Sequence, residues 1–316
     1  MRIHPGLSDS ASLLTNGAIA IGNFDGVHLG HRALFDAAVR AARTSGGPCS
    51  ALTFEPHPAK LLAPDYAPEL ICARPRKLEL LAQAGVEDLI EQPFDAAFMA
   101  TSPDDFVDRL IATGISAVVV GHDFTYGRAR SGSVESLRRA LEERGVRLHV
   151  VPAVTVNGLV VSSTKIREFI LAGRVEAANM LLGRPFDLEG EVVRGEGRGR
   201  KLGWPTANLR TTNELLPKVG VYAVRALVRD ERSGRAWLQG AANLGLNPTF
   251  RPEGGQAGAA HLMLEVHLFD IAEDLYGKRL RVQFLHRLRD ERRFPGVDAL
   301  KEQIARDVET ARRLLA

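Results

Sequence analysis

The chain has 316 residues, 45% hydrophobic and 25% charged, a composition of a soluble globular protein with room for two domains. Its 41 basic and 38 acidic side chains leave a net charge of +3, too small to mark a general nucleic-acid binder. Two cysteines, Cys49 and Cys72, are too few for a disulfide framework or a cysteine-built zinc site, and no stretch approaches the roughly 18 apolar residues that span a bilayer.

The N-terminus, MRIHPGLSDSASLLTNG, lacks a basic start followed by an apolar core, so no secretory signal is expected and the default setting is the reducing cytoplasm. Short apolar runs then recur: AIAIGNF (18–24), SALTF (50–54), DLIEQPF (88–94), AVVVGHDF (117–124) and RLHVVPAV (147–154). These are predicted buried strands, separated by helical segments such as HRALFDAAVRAARTSGG, which Gly46 and Gly47 stop. The alternation predicts a parallel α/β sheet with right-handed crossovers, whose ligands bind beyond the carboxyl ends of the strands.

Around LLGRPFDLEGE (181–191) the pattern changes, which divides the chain into an expected first domain, 1–184, and a second, 185–316. In GVYAVRALVRD (220–230), Tyr222, Val224, Ala226 and Val228 share one face, with Arg225 and Arg229 on the other. LMLEVHLFD (262–270) and RLRVQFLHRL (279–288) alternate in the same way, predicting an antiparallel sheet or small barrel. PEGGQAGAA (252–260) is predicted as a mobile loop, and the closing segment carries Leu300, Ile304, Val308, Ala311 and Leu315 at helical spacing, an amphipathic helix packed on the barrel.

Chemistry concentrates first in GNFDGVHLGH (22–31). His28 and His31 admit three readings: metal ligands, core histidines, or phosphate donors. A metal lacks further ligands at suitable spacing. The phosphate reading rests on position, since a strand end, a tight turn and a helix N-terminus follow one another, and Gly22, Gly26 and Gly30 allow close approach to the backbone. HxGH after a first strand, preceded by Gly22, Asn23, Phe24 and Asp25, resembles the nucleotidylyltransferase superfamily, and so does VSSTKIREFI (161–170). There Ser163 and Thr164 serve either as a plain helix cap or, with Arg167, as a phosphate grip. Class I aminoacyl-tRNA synthetases also pair an HxGH-type motif with a later phosphate loop, but their lysine-rich loop is absent here.

VVRGEGRGRKLGWPTANL (192–209) places Gly195, Gly197, Gly199 and Gly203 among Arg198, Arg200 and Lys201, a loop suited to wrapping polyphosphate. Thr206 and Asn208, two apart, point the same way in a strand and suit a shared Mg²⁺. The block resembles the riboflavin kinase family, and PKVGVYAV (217–224), ANLGLNPTF (242–250), LEVHLFD (264–270), DLYG (274–277) and LRDERRF (288–294) continue the likeness in order. From about Ala18 onward the chain is similar to the bacterial bifunctional riboflavin kinase/FMN adenylyltransferase family. That resemblance implies a Rossmann-like nucleotidylyltransferase domain followed by an antiparallel β-barrel with a packed C-terminal helix. It implies two reactions: riboflavin and ATP·Mg²⁺ give FMN, and FMN with a second ATP gives FAD and pyrophosphate.

The resemblance also implies roles. Glu265 is the kinase base; Gly197, Gly199 and Lys201 hold ATP phosphates beside Thr206 and Asn208; Arg289 and Arg292 close over the flavin. In the first domain, Pro56 of TFEPHP (53–58) and Asp123, Phe124 and Tyr126 of VGHDFTYG (120–127) face the flavin. Asn247 and His122 depart from the family pattern, at positions usually basic and acidic respectively. Expected partners are small molecules, without nucleic acid or membrane, and the oligomeric state stays open. Two rivals remain: an enzyme with one live activity, and a flavin- or RNA-binding protein that grips phosphate without turnover.

Overall fold

Every residue of the strand Ala18–Ile21 is buried, and the first half of the chain is built around it. In the computed structural model, which describes residues 1–195, 197, 199, 202–229, 236–247, 261–271 and 273–316, six parallel strands form one sheet. They are β1 (Arg2–His4), β2 (Ala18–Ile21), β3 (Cys49–Glu55), β4 (Asp88–Pro93), β5 (Ala117–Gly121) and β6 (Arg147–Val151), in the order β1-β4-β3-β2-β5-β6. Helices α1 (Leu29–Ser45), α2 (Arg74–Gln83), α3 (Pro103–Ala112) and α4 (Val134–Glu142) intervene. Five strands match the predicted runs; the first and fourth runs extend further because Gly22, Asn23 and Phe24, or His122 to Phe124, belong to the turns that follow, while β3 is one residue longer than its run at each end.

β1 has no apolar run to predict it. Its charged side chains seat it on β4: Arg2 donates to both oxygens of Asp88, from Nε at 2.8 Å and Nη2 at 2.7 Å, and His4 Nε2 donates at 2.8 Å. Asp88 is 1% exposed. Burial alone would raise its pKa, but the donors from Arg2 and His4 outweigh it and hold the carboxyl below its ordinary value. The strand order reverses between β2 and β5, so the turns leaving these paired strands flank the crevice where such sheets bind ligands.

The chain divides into two compact units, Met1–Leu70 with Arg74–Ser163, and Ile71–Ala73 with Thr164–Ala316. The second unit takes up nearly all of α5 (Ser163–Leu171) and the whole of α6 (Val175–Leu182), ahead of the residue-184 boundary read from sequence. Asn179 of α6 explains the attachment. Its Nδ2 donates to the Phe284 carbonyl at 2.8 Å, while its Oδ1 accepts from the Phe186 N–H at 2.6 Å.

Those two phenylalanines belong to a closed antiparallel barrel of β7 (Phe186–Val193), β8 (Ala207–Thr211), β9 (Gly220–Val228), β10 (Leu238–Asn247), β11 (His261–Leu268) and β12 (Arg279–Arg289). The order is β7-β8-β11-β10-β9-β12, with β12 pairing back to β7, so no edge is left open. Phe284 fills the interior between Tyr222, ring centroids 5.2 Å apart, and Phe186 at 5.9 Å. Outside, α7 (Val297–Leu315) packs Ala311, Val308 and Leu315 against Ala223, Ala241 and Phe269, as its spacing predicts. The segment predicted as a mobile loop, 252–260, lies outside the described residues.

Phe284→Ala is expected to cost about 3–5 kcal/mol of stability. Both tryptophans, Trp204 and Trp237, lie in the second unit, so intrinsic fluorescence reads its unfolding. An unchanged fluorescence midpoint would contradict the packing described.

Candidate active sites

After β2 the backbone turns sharply into α1. Phe24 (φ 52°) and Val27 (φ 41°) both occupy the left-handed region, a costly conformation for a β-branched residue, worth on the order of 1–3 kcal/mol. Tertiary contacts hold it. The buried Phe24 ring packs on Phe35 at 4.7 Å and meets His31 edge-on at 5.4 Å. The Asn23 carbonyl accepts from Thr53 Oγ1 at 3.1 Å, and Lys77 Nζ donates to that same Thr53 oxygen at 2.7 Å. The Asp25 carbonyl accepts from Ser163 Oγ at 3.0 Å, which joins the second expected motif to the first. A side chain at Gly22 would strike the Phe24 ring at 2.9 Å.

His28 is the N-cap of α1, and its Nδ1 accepts the His31 N–H at 3.3 Å. With that lone pair engaged, the neutral ring carries its proton on Nε2 and presents an N–H donor there. The His28 and His31 rings stack at 3.6 Å, inclined by 17°. Gly30 permits this, since a Cβ there would lie 3.1 Å from the His28 ring. The HxGH spacing is therefore a capping geometry that gathers two imidazoles at the positive end of a helix.

The turn after β5 sorts its expected flavin contacts. Asp123 is exposed and Phe124 half-buried. Tyr126, 7% exposed, packs its ring in the core 5.3 Å from Phe106 and under Phe124 at 5.8 Å, with its hydroxyl 3.2 Å from Ser136 Oγ. Pro56 is exposed just past β3. Thr164 and Arg167 follow Ser163 on α5 and belong to the second unit.

In the barrel, Asn208 on β8 stands directly across from Glu265 on β11, which stands across from Asn243 on β10. Directly opposed residues of antiparallel strands face the same side, so these three polar groups form one row. Glu265 is half-buried and lines a cavity of about 720 Å³ together with Thr206, Asn243, Arg289 and Arg292. α7 supplies the apolar wall through Leu300, Ile304 and Val308, so the helix does more than cover the barrel. The glycine loop lies against the row: a Cβ on Gly195 would fall 2.3 Å from Asn208 Nδ2, and one on Gly199 3.0 Å from Thr206 Oγ1. This Cβ-free cradle over two neutral oxygen-bearing side chains fits a hard divalent cation carrying phosphate. Gly197 takes a left-handed φ of 68°. Lys201, with Arg198 and Arg200, lies outside the described residues.

Arg289 and Arg292 are fastened to α7. Arg289 Nε lies 3.0 Å from both carboxylate oxygens of Asp307, and its Nη2 donates to Oδ2 at 2.7 Å. Arg292 donates to Gln303, whose Nε2 donates to Asp307 Oδ1 at 2.7 Å. The sequence reading missed Gln303 and Asp307, although their spacing of four beside the apolar stripe was the available signal. It missed Asn243 and Lys77 too, whose importance arises only from strand pairing and tertiary contact.

Two family models match in sequence order, FAD synthetase over residues 11–165 and riboflavin kinase over residues 182–315. With a histidine-capped helix in the parallel-sheet unit and a cavity lined by Glu265 in the barrel unit, the two models describe a two-part transferase. Bifunctional riboflavin kinase/FMN adenylyltransferases are 38% identical in Escherichia coli K12, over 93% of this chain and 91% of the relative, and 36% identical in Bacillus subtilis 168, over 93% and 90%. A solved structure described as a macrolide-efflux protein from Streptococcus pneumoniae matches with a TM-score of 0.87 and 32% identity over 99% of both chains. The chain belongs to the bifunctional riboflavin kinase/FMN adenylyltransferase family. Among the described residues no helix is long and apolar enough to cross a membrane.

Asp307→Ala removes the carboxylate that both Arg289 and Gln303 hold. The expected result is a KM for riboflavin raised about 10-fold, as for loss of a supporting contact to a site. FMN formation measured against riboflavin concentration checks this, and an unchanged KM would contradict it.

Proposed function

We propose that the two family activities run at the two sites described, with the roles below. Riboflavin is phosphorylated by ATP in the barrel unit, and the FMN so formed is adenylylated by a second ATP in the parallel-sheet unit. The observation that supports the barrel assignment is the row Asn208–Glu265–Asn243 beneath a glycine loop, with Glu265, Asn243, Thr206 and Gly199 lining one cavity. Glu265 accepts the proton of the ribityl 5′-hydroxyl as that oxygen attacks the γ-phosphorus of ATP. Thr206 and Asn208 would hold the Mg²⁺ that arrives with ATP, which would supply charge neutralisation at the transferring phosphoryl group. Gly197, Gly199 and Lys201 wrap the phosphates, and Arg289 and Arg292 border the flavin.

In the parallel-sheet unit, an oxygen of the FMN phosphate attacks the α-phosphorus of ATP and pyrophosphate leaves. The attacking group is the substrate's own, so no enzyme nucleophile is needed. The protein contributes alignment and donors: the His28 Nε2–H, the His31 ring and the α1 N-terminus face the phosphates. Arg167 is assigned to phosphate from its motif, while Asp123, Phe124 and Pro56 border the flavin. The small-molecule chemistry and the reduced cysteines support a cytoplasmic setting.

With purified protein, riboflavin, ATP and Mg²⁺, resolving FMN from FAD tests this reading. Loss of one phosphate donor in His28→Ala or His31→Ala is expected to slow FAD formation about 100-fold while FMN still accumulates. Glu265→Gln is expected to lower FMN formation at least about 100-fold and leave FAD formation from supplied FMN intact. FMN production by Glu265→Gln at the unaltered rate would overturn the base assignment.

A further inference from the structure

His267 lies two residues beyond Glu265 on β11, on the same face, and lines the same cavity. The β8–β11 ladder has Ala207 opposite Val266 as its last pair toward this end. The next residues outward are Thr206 ahead of β8 and His267 on β11, and before Thr206 stands Pro205, which has no N–H to donate. The His267 side chain reaches past the last ladder pair, its Nδ1 2.8 Å from the Pro205 carbonyl oxygen. A carbonyl only accepts, so Nδ1 must carry the proton, whether the ring is neutral or charged. The buried Phe269 meets the imidazole edge-on at 5.7 Å and fixes its plane.

The geometry points to His267 as a positioning residue for riboflavin phosphorylation: its Nδ1–H, donated to the Pro205 carbonyl, holds Thr206 in register with Glu265 across the β8–β11 pair. Thr206 follows Pro205 directly, and Glu265 shares a strand face with His267, so one side-chain hydrogen bond sets the spacing between the phosphate-holding group and the base. The bond ties the segment that enters β8 to β11 beyond the last pair of the ladder. The inference deepens the proposed barrel site and rests on that assignment of Glu265 and Thr206.

The two amide substitutions separate the ring nitrogens, because an asparagine N–H₂ reaches the place of Nδ1 and a glutamine N–H₂ the place of Nε2. His267→Leu and His267→Gln are expected to lower kcat/KM for FMN formation about 10–100-fold, chiefly through the KM for ATP·Mg²⁺. His267→Asn is expected to recover most of the activity. Intrinsic fluorescence of Trp204 and Trp237 verifies that the barrel unit of each variant is folded, and FAD formation from supplied FMN verifies the other unit. Full activity in His267→Leu overturns the inference, as does equal behaviour of the two amides or rescue by glutamine instead of asparagine. Glu265→Gln is measured alongside. If it makes FMN at the unaltered rate, the barrel-site reading itself fails; if it is inactive beside a fully active His267→Leu, only the role of His267 fails.

Discussion

Close approach of backbone to a fixed polar group is the constraint on which both sites depend. In the first unit Gly30 runs under the His28 ring, and a methyl group there would push apart the cap that gives His28 its tautomer and stacks it on His31. In the second unit Gly195 and Gly199 lie against Asn208 and Thr206 in the same sense. At each site the backbone approaches polar side chains at positions where a Cβ would intrude. The strained Phe24 and Val27 show what such a turn costs, and the ties from Thr53, Lys77 and Ser163 show what offsets it.

The scaffolds meet that constraint by different means. A parallel sheet whose order reverses between β2 and β5 offers a crevice at its carboxyl ends, and a helix cap fills it with donors. A closed barrel has no such crevice. Its cavity instead lies between the outer row of β8, β11 and β10 and the helix α7, clasped by Arg289, Asp307, Gln303 and Arg292. Asp307 serves that clasp as Asp88 serves the first sheet, each a nearly buried carboxylate stabilised by arginine donors.

What the sequence made legible follows from the range of the forces involved. Apolar runs reported the other five strands of the first sheet because most of their residues are buried or half-buried, and alternation reported β9, β11 and β12 because polar groups such as Arg225 and Gln283 take the outer barrel face. β1 was invisible, since three residues seated by Arg2 and His4 on Asp88 carry their signal in a partner 84 or more positions away. Motifs singled out His28, His31, Thr206, Asn208 and Glu265 as candidates, because each motif is contiguous within one turn or strand. The packing of Tyr126 on Phe106 was not legible, because an aromatic residue in a loop motif looks the same in sequence whether it faces a ligand or a core. His267, Asn243, Lys77 and Asp307 escaped notice because each acts through strand register or a long-range hydrogen bond.

The central claim is that separate sets of side chains carry the two reactions, with FMN as the link between them. Mixing the His28→Ala chain with the Glu265→Gln chain and supplying riboflavin, ATP and Mg²⁺ tests this most directly. The account predicts that neither chain alone makes FAD efficiently and that the mixture does, with FMN passing through solution from one to the other. A mixture that makes no more FAD than the separate chains would contradict it.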